Sequence, residues 1–309
     1  MSITTPPSGA LAGPATATDL PPDVRSASLL RRGWEVFAAN KLALASLVLV
    51  LAMIGFCFIG PLIYRTDQVH TNLAQYLCHP GASHLLGCDK LGYDELGRLM
   101  AGGRTSLEVG LAAAFVSVAF GALYGAFSGF IGGPADAVLM RIVDAGLSIP
   151  YLMLVIIMSV IFHPGPAVMI FIIALIYWLG VARLVRGETL TLRTREYVQA
   201  VKVIGGQGGR SIIRHILPNA AGTIIVQATF AVADSILLLA LLGFLGLGVS
   251  PPATDWGSML SSGLQFLQSS QSFWWLIYPP GIAIIITCIS FNFIGDALRD
   301  AFETRLQRR

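Results

Sequence analysis

The sequence predicts an all-α polytopic membrane protein: six transmembrane helices, with the N- and C-termini both cytoplasmic. Three observations predict it: a composition too apolar for water alone, long runs without a charge, and a lopsided placement of Lys and Arg. Of 309 residues, 55% are hydrophobic and only 12% charged, with mean hydropathy +0.72. A soluble domain carries about twice that charged fraction. The net charge of +3 is too small to suggest a nucleic-acid partner, so its distribution matters more than its total.

The elements follow in order. Residues 1–28 open with a Pro-, Ala- and Thr-rich stretch that has neither an early basic region nor an apolar core. A disordered cytoplasmic tail is expected there, not a signal peptide. Residues 29–103 are expected to form an N-terminal helix, the first span and an external loop. A span needs about 20 apolar residues. Leu42–Tyr64 and Val109–Ala135 carry no charge, and Asp144 and Arg183 bracket a third apolar region broken by His163-Pro164-Gly165-Pro166. Two prolines and a glycine stop a helix, so that tetrapeptide reads as a turn between two spans. Asp234 is the only charge between Arg214 and Asp255, and Trp256–Gly295 has none. The expected spans are 42–64, 108–131, 137–162, 167–187, 223–248 and 276–296.

Sixteen of the twenty Lys and Arg fall on the side of the termini and the 188–222 loop, and only Arg65, Lys90, Arg98 and Arg104 on the other. The positive-inside rule makes the crowded side cytoplasmic. Within the spans, Gly121, Gly125, Gly129 and Gly133 form a small-residue ladder at helical spacing, which suits close packing by a neighbouring helix. Arg141 and Asp144, three apart, are expected to pair at a helix end.

The 203–219 segment, VIGGQGGRSIIRHILPN, has the look of a phosphate cradle. A phosphate-binding loop needs G-x-x-x-x-G-K-[ST] between a strand and a helix. Ile204 stands where the first glycine should be, Arg210 replaces the lysine, and REYVQAVKVI before it has helical period. It is not a nucleotide site. Gly205-Gly206 and Gly208-Gly209 are instead expected to bend the chain at each end of a short projecting helix, with Pro218 starting the next span.

The longer stretch TREYVQAVKVIGGQGGRSIIRHILPN resembles the cytoplasmic EAA loop of ATP-binding-cassette importer permeases. Gln199, Ala200 and Val201 occupy the triplet, Gly205 the glycine, and Leu217-Pro218 the ending. Three more blocks are similar to the peptide and nickel branch: HLLGCDKLGYDELGRLMAGGRTSLEVGL, FLGLGVSPPATDWGSML and FNFIGDALRDAFETRL. Leu239 and Gly243 replace the Glu and Ser common in that branch's fifth span, so any polar role of that glutamate is lost.

The resemblance implies a MetI-like type I importer transmembrane domain in the bacterial cytoplasmic membrane. Its core is expected over 104–303, with the coupling loop at 188–222 and a basic tail at 304–309. The chain is expected to be a C-type permease for dipeptides or oligopeptides, with nickel chelates or other small solutes as the alternative. The implied partners are a paralogous B-type permease, one or two ABC ATPase subunits and an extracytoplasmic binding protein. ATP and magnesium would sit on the ATPases, and no cofactor on this chain. The ATPase-coupling residues are Glu196, Tyr197, Ala200, Gly205, Gly206, Gly209, Arg214, Leu217 and Pro218.

Gln227 and Asp234 are assigned to the translocation pathway. A carboxylate facing lipid midway through a span costs ~3 kcal/mol or more, so Asp234 is expected to face the pathway or another helix. Cys78, His79, His84 and Cys88 match no structural zinc spacing, and a Cys78–Cys88 disulfide is expected in place of a metal. Cys57 and Cys288 are expected to be inert thiols within spans. His163 and Asp234 stand apart without an acid–base partner, which argues against an intramembrane enzyme. No repeat with paired broken helices points to a secondary transporter.

Overall fold

A computed structural model describes residues 37–196, 208–266 and 273–306. Among these the chain is helical, without a named strand, and eight helices carry the architecture: α1 Lys41–Phe58, α2 Glu95–Ile131, α3 Gly133–Ser148, α4 Tyr151–Phe162, α5 Pro166–Leu192, α6 Leu217–Phe244, α7 Trp256–Leu264 and α8 Tyr278–Leu306. Five helices are long and apolar enough to cross a membrane, or six if α3 and α4 together make one span.

Local chemistry sets the ends. Asn40 caps α1 by accepting from the Leu42 and Ala43 amides, and Asp94 caps α2 through Gly97 N at 2.8 Å. α2 starts at Glu95, well before the expected 108. Its 37 residues reach ~55 Å against a hydrocarbon layer of ~30 Å, so hydropathy marked only its membrane portion. It ends at Gly132, whose φ of +68° no branched residue adopts cheaply.

The expected straight span 137–162 is instead two helices bent by 79°. Pro150 is the reason: it forces Ile149 into extended geometry (φ −84°, ψ 130°) and lacks the amide that would continue the ladder. His163 then closes α4 in the left-handed region, φ +43°, ahead of Pro164.

α2 packs along α5 through the glycine ladder. A Cβ on Gly121 would lie 2.6 Å from the Trp178 carbonyl, and one on Gly125 would meet the Ala182 carbonyl and lie 2.9 Å from Arg186 N. Gly129 faces Thr189 and the Arg186 carbonyl in the same way. The ladder's partner is therefore a helix of this chain. Gly133 departs from it, being the first residue of α3 at φ +61° with open space around it.

The two largest hydrophobic clusters hold the helices together. One joins α1, α2, α6, α7 and α8 around Leu107, Ile236, Trp256 and Ile294. The other joins α2, α4, α5 and α6 around Val155, Met169 and Leu239.

Candidate translocation pathway and coupling region

α6 starts unusually. Gly208–Ser211 forms one helical turn, Ile212–Ile216 a π-helical turn, and the helix continues without a break to Phe244. Pro218 explains the wide turn. In a regular helix its ring would press on the carbonyl four residues back, that of Arg214, and its missing amide would leave that carbonyl bare. The π turn absorbs the mismatch, and the Asn219 side chain donates to the His215 carbonyl at 2.6 Å. Gly209 thus belongs to a helical turn with nothing near it, and not to the left-handed bend expected there.

Of the coupling residues named from the sequence, Glu196, Gly209, Arg214 and Pro218 are exposed, and Leu217 packs against the core beside buried Ile212 and Ile216. Tyr197, Ala200, Gly205 and Gly206 lie outside the described residues.

The base of the helices near this region is held by ionic contacts that the sequence did not reveal. Arg186 on α5 makes two bonds to Asp136 on α3, and Ser128 on α2 donates to the same carboxylate. Arg193 donates to the Gly129 carbonyl at 2.9 Å. Asp144 pairs with Arg183 and not with Arg141. The i, i+3 spacing made the local partner attractive, but α3 packs against α5, and Arg183 reaches Asp144 from there.

Gln227 and Asp234 both line one cavity of about 690 Å³ between α3, α4, α5 and α6. They are seven residues apart, two turns along one face of α6. Tyr177 crosses from α5 and donates its hydroxyl to the Asp234 main-chain carbonyl at 3.2 Å. Among the described residues, no hydrogen bond or ion pair reaches the Asp234 carboxylate. The remaining wall is largely apolar, with Leu237, Leu241, Leu175 and Trp178 prominent.

At the opposite end, Cys78 and Cys88 are joined in a disulfide with a Cα–Cα distance of 4.8 Å. Cys78 and Cys88 sulfurs and a His84 ring nitrogen lie within 4.8 Å of one another. The bonded sulfurs offer no thiolate to a metal. His84 Nδ1 and the Tyr64 hydroxyl instead meet Asp94 Oδ2 at 2.9 and 2.8 Å, so the α2 cap is also the anchor of this loop. Trp275 donates from Nε1 to the Cys88 carbonyl at 3.4 Å. Beyond it, Asp255 caps α7 while wholly buried, accepting from Ser258 N, Ser258 Oγ and Val249 N. Burial raises the Asp255 carboxyl above the usual range, and the donors from Ser258 and Val249 pull the other way.

Residues 121–308 match the family model described as binding-protein-dependent transport system inner membrane component. The chain belongs to that family. Residues 28–80 match a second model, the N-terminal transmembrane domain of oligopeptide transport permease C. Similar relatives of this inner-membrane component cover nearly its whole length. The dipeptide transport system permease protein DppC of Bacillus subtilis strain 168 is 37% identical over 283 residues, 92% of this chain and 88% of the relative. The oligopeptide transport system permease protein OppC of Escherichia coli K12 is 37% identical over 285 residues, 92% and 93% of the two chains. The di/tripeptide transport system permease protein DppC of Pseudomonas aeruginosa UCBPP-PA14 is 35% identical over 299 residues, 95% and 97%.

Proposed function

We propose that this inner-membrane component is the C-type membrane subunit of an ATP-driven importer for dipeptides or oligopeptides. It works beside a paralogous B-type permease, one or two ABC ATPase subunits and an extracytoplasmic binding protein. The observation that carries the reading is the match along nearly the whole chain to relatives named as dipeptide, di/tripeptide and oligopeptide permeases. Those names favour peptides over nickel chelates.

In this reading ATP and magnesium belong to the partner ATPases, and this chain supplies half of the pathway and the surface that the ATPases push. The termini and the 188–222 loop face the cytoplasm, as the Lys and Arg bias argues. The loop residues Glu196, Tyr197, Ala200, Gly205, Gly206, Gly209, Arg214, Leu217 and Pro218 transmit the ATPase motion into α6. Gln227 and Asp234 present polar contacts to the substrate inside an otherwise apolar wall, where each such contact replaces water that the substrate loses.

The test is uptake into proteoliposomes holding the complete transporter. Labelled alanyl-alanine should accumulate with ATP and should not with an ATPase subunit unable to hydrolyse it. Accumulation of a nickel–histidine chelate with no peptide uptake would overturn the reading.

A further inference from the structure

A second cavity, of about 510 Å³, lies at the Glu95 end of the bundle, between the start of α2, the turn at His163 and the segment leading into α7. Its charged walls are Asp89, Lys90, Glu95 and Arg98, and Ser159 and Ser262 add hydroxyls. Two of these side chains are almost wholly buried and, among the described residues, have no side-chain hydrogen-bond partner. Glu95 is 2% exposed, and among the described residues nothing donates to its carboxylate and no Lys or Arg is ion-paired with it. Ser159, also 2% exposed, has an unsatisfied hydroxyl. Buried polar groups are nearly always partnered, so two orphans on the wall of one cavity call for a missing third group.

We infer that this cavity is a binding subsite for a primary ammonium group, with Glu95 as its counter-charge. Lys90 and Arg98 share the cavity wall, and neither is ion-paired with Glu95, although Arg98, three residues along α2, acts on its charge through space. Lys90 Nζ donates to Gln265 Oε1 at 2.9 Å, and the Arg98 guanidinium lies 4.4 Å over the Tyr93 ring. The first-turn position of Glu95 on α2 favours a negative charge, but the helix dipole is a weaker term than the cost of burying a carboxylate.

The chemistry selects the ligand. An ammonium group has three donors and no acceptor, and it meets here a carboxylate and a cluster of hydroxyls. A divalent metal asks for several free carboxylates or carbonyls. Asp89 is committed, its Oδ1 accepting from the Leu91 and Tyr93 amides. The volume is that of a small-ligand pocket. The inference rests on the peptide-permease reading only for the bearer of the ammonium, which would be a peptide amino terminus on its way to Gln227 and Asp234.

The experiment uses the complete transporter in native membranes, with Cys57 and Cys288 replaced by alanine and Ser262→Cys placed in the cavity wall. The probes are 2-aminoethyl and 2-sulfonatoethyl methanethiosulfonate, scaled to their rates with a small free thiol. The cationic reagent should be favoured about tenfold at position 262, and Glu95→Gln should erase the preference while Glu95→Asp keeps most of it. Trialanine should protect the thiol and N-acetyl-trialanine should not. No cationic preference, or a preference that survives Glu95→Gln at normal chain abundance, overturns the subsite. If the preference holds but trialanine neither protects nor is taken up, the subsite stands and the peptide reading falls. If trialanine uptake keeps its KM in Glu95→Gln, the subsite falls and the permease reading stands.

Discussion

Arg186 grips Asp136 through two parallel bonds, Nε to Oδ1 and Nη2 to Oδ2, each 2.6 Å long. The fork ties α5 to α3, and the Ser128 bond adds α2, so one carboxylate joins three helices. Asp136 is 6% exposed, so removing its partner strands a buried charge. Arg186→Ala should cost ~3–5 kcal/mol, and Arg186→Lys less, since it keeps the charge and loses the fork; Asp136→Ala should also cost less, because the guanidinium it leaves behind is 31% exposed. Thermal unfolding of the purified chain checks this.

The glycines of α2 and α5 should behave oppositely. Gly125→Val puts a branched side chain into the Ala182 carbonyl and should force the helices apart, costing upwards of ~1–3 kcal/mol. Gly187 on α5 has open space around it, and Gly187→Ala should be neutral or stabilising by ~0.5–1 kcal/mol. Yield and melting temperature of the two variants separate them.

The Cys78–Cys88 bridge should be recovered as a linked peptide by mass spectrometry without reduction. It closes a loop of about ten residues, so the double Cys→Ser variant should lose ~2–3 kcal/mol of loop stability. Faster proteolysis of the 70–94 segment would report that loss, and unchanged proteolysis would refute it.

How much of this was legible in the sequence depends on the range of the physics. Apolar runs are encoded locally, so the spans could be read off directly. Pro150 was equally visible, yet a run read only for charge hides the bend it makes. The start of α2 was misplaced because Arg98, Arg104 and Glu108 lie on a helix that outruns the bilayer. The Arg186–Asp136 fork spans fifty residues of chain, and nothing local to either residue announces it. Gln227 and Asp234 were readable as polar intrusions on one helix face, whereas Glu95 drew no notice among the charges of its loop. Only the fold reveals that it is buried.

Asp234→Asn keeps the shape of the side chain and removes its charge from the 690 Å³ cavity. Transport should fall, with normal assembly of the complex by co-purification. Wild-type uptake of every peptide tested would remove Asp234 from the pathway.

Gly205→Val tests the coupling loop. If the chain bends at Gly205 as proposed, a stiff branched residue there should cost about 1–3 kcal/mol of strain or lost contact. Insertion and abundance should stay normal, while uptake and substrate-stimulated ATP hydrolysis fall together. Uptake at the wild-type rate would reduce the loop to a linker.

The π turn at Ile212–Ile216 also sets the register of α6. Such a turn holds about one residue more than an α turn, so side chains from Leu217 onward lie ~100° around the axis from where an uninterrupted α-helix would put them. Gln227 and Asp234 sit on that shifted part of the helix. The face they turn to the 690 Å³ cavity is therefore dictated by Pro218, well before either of them in the chain.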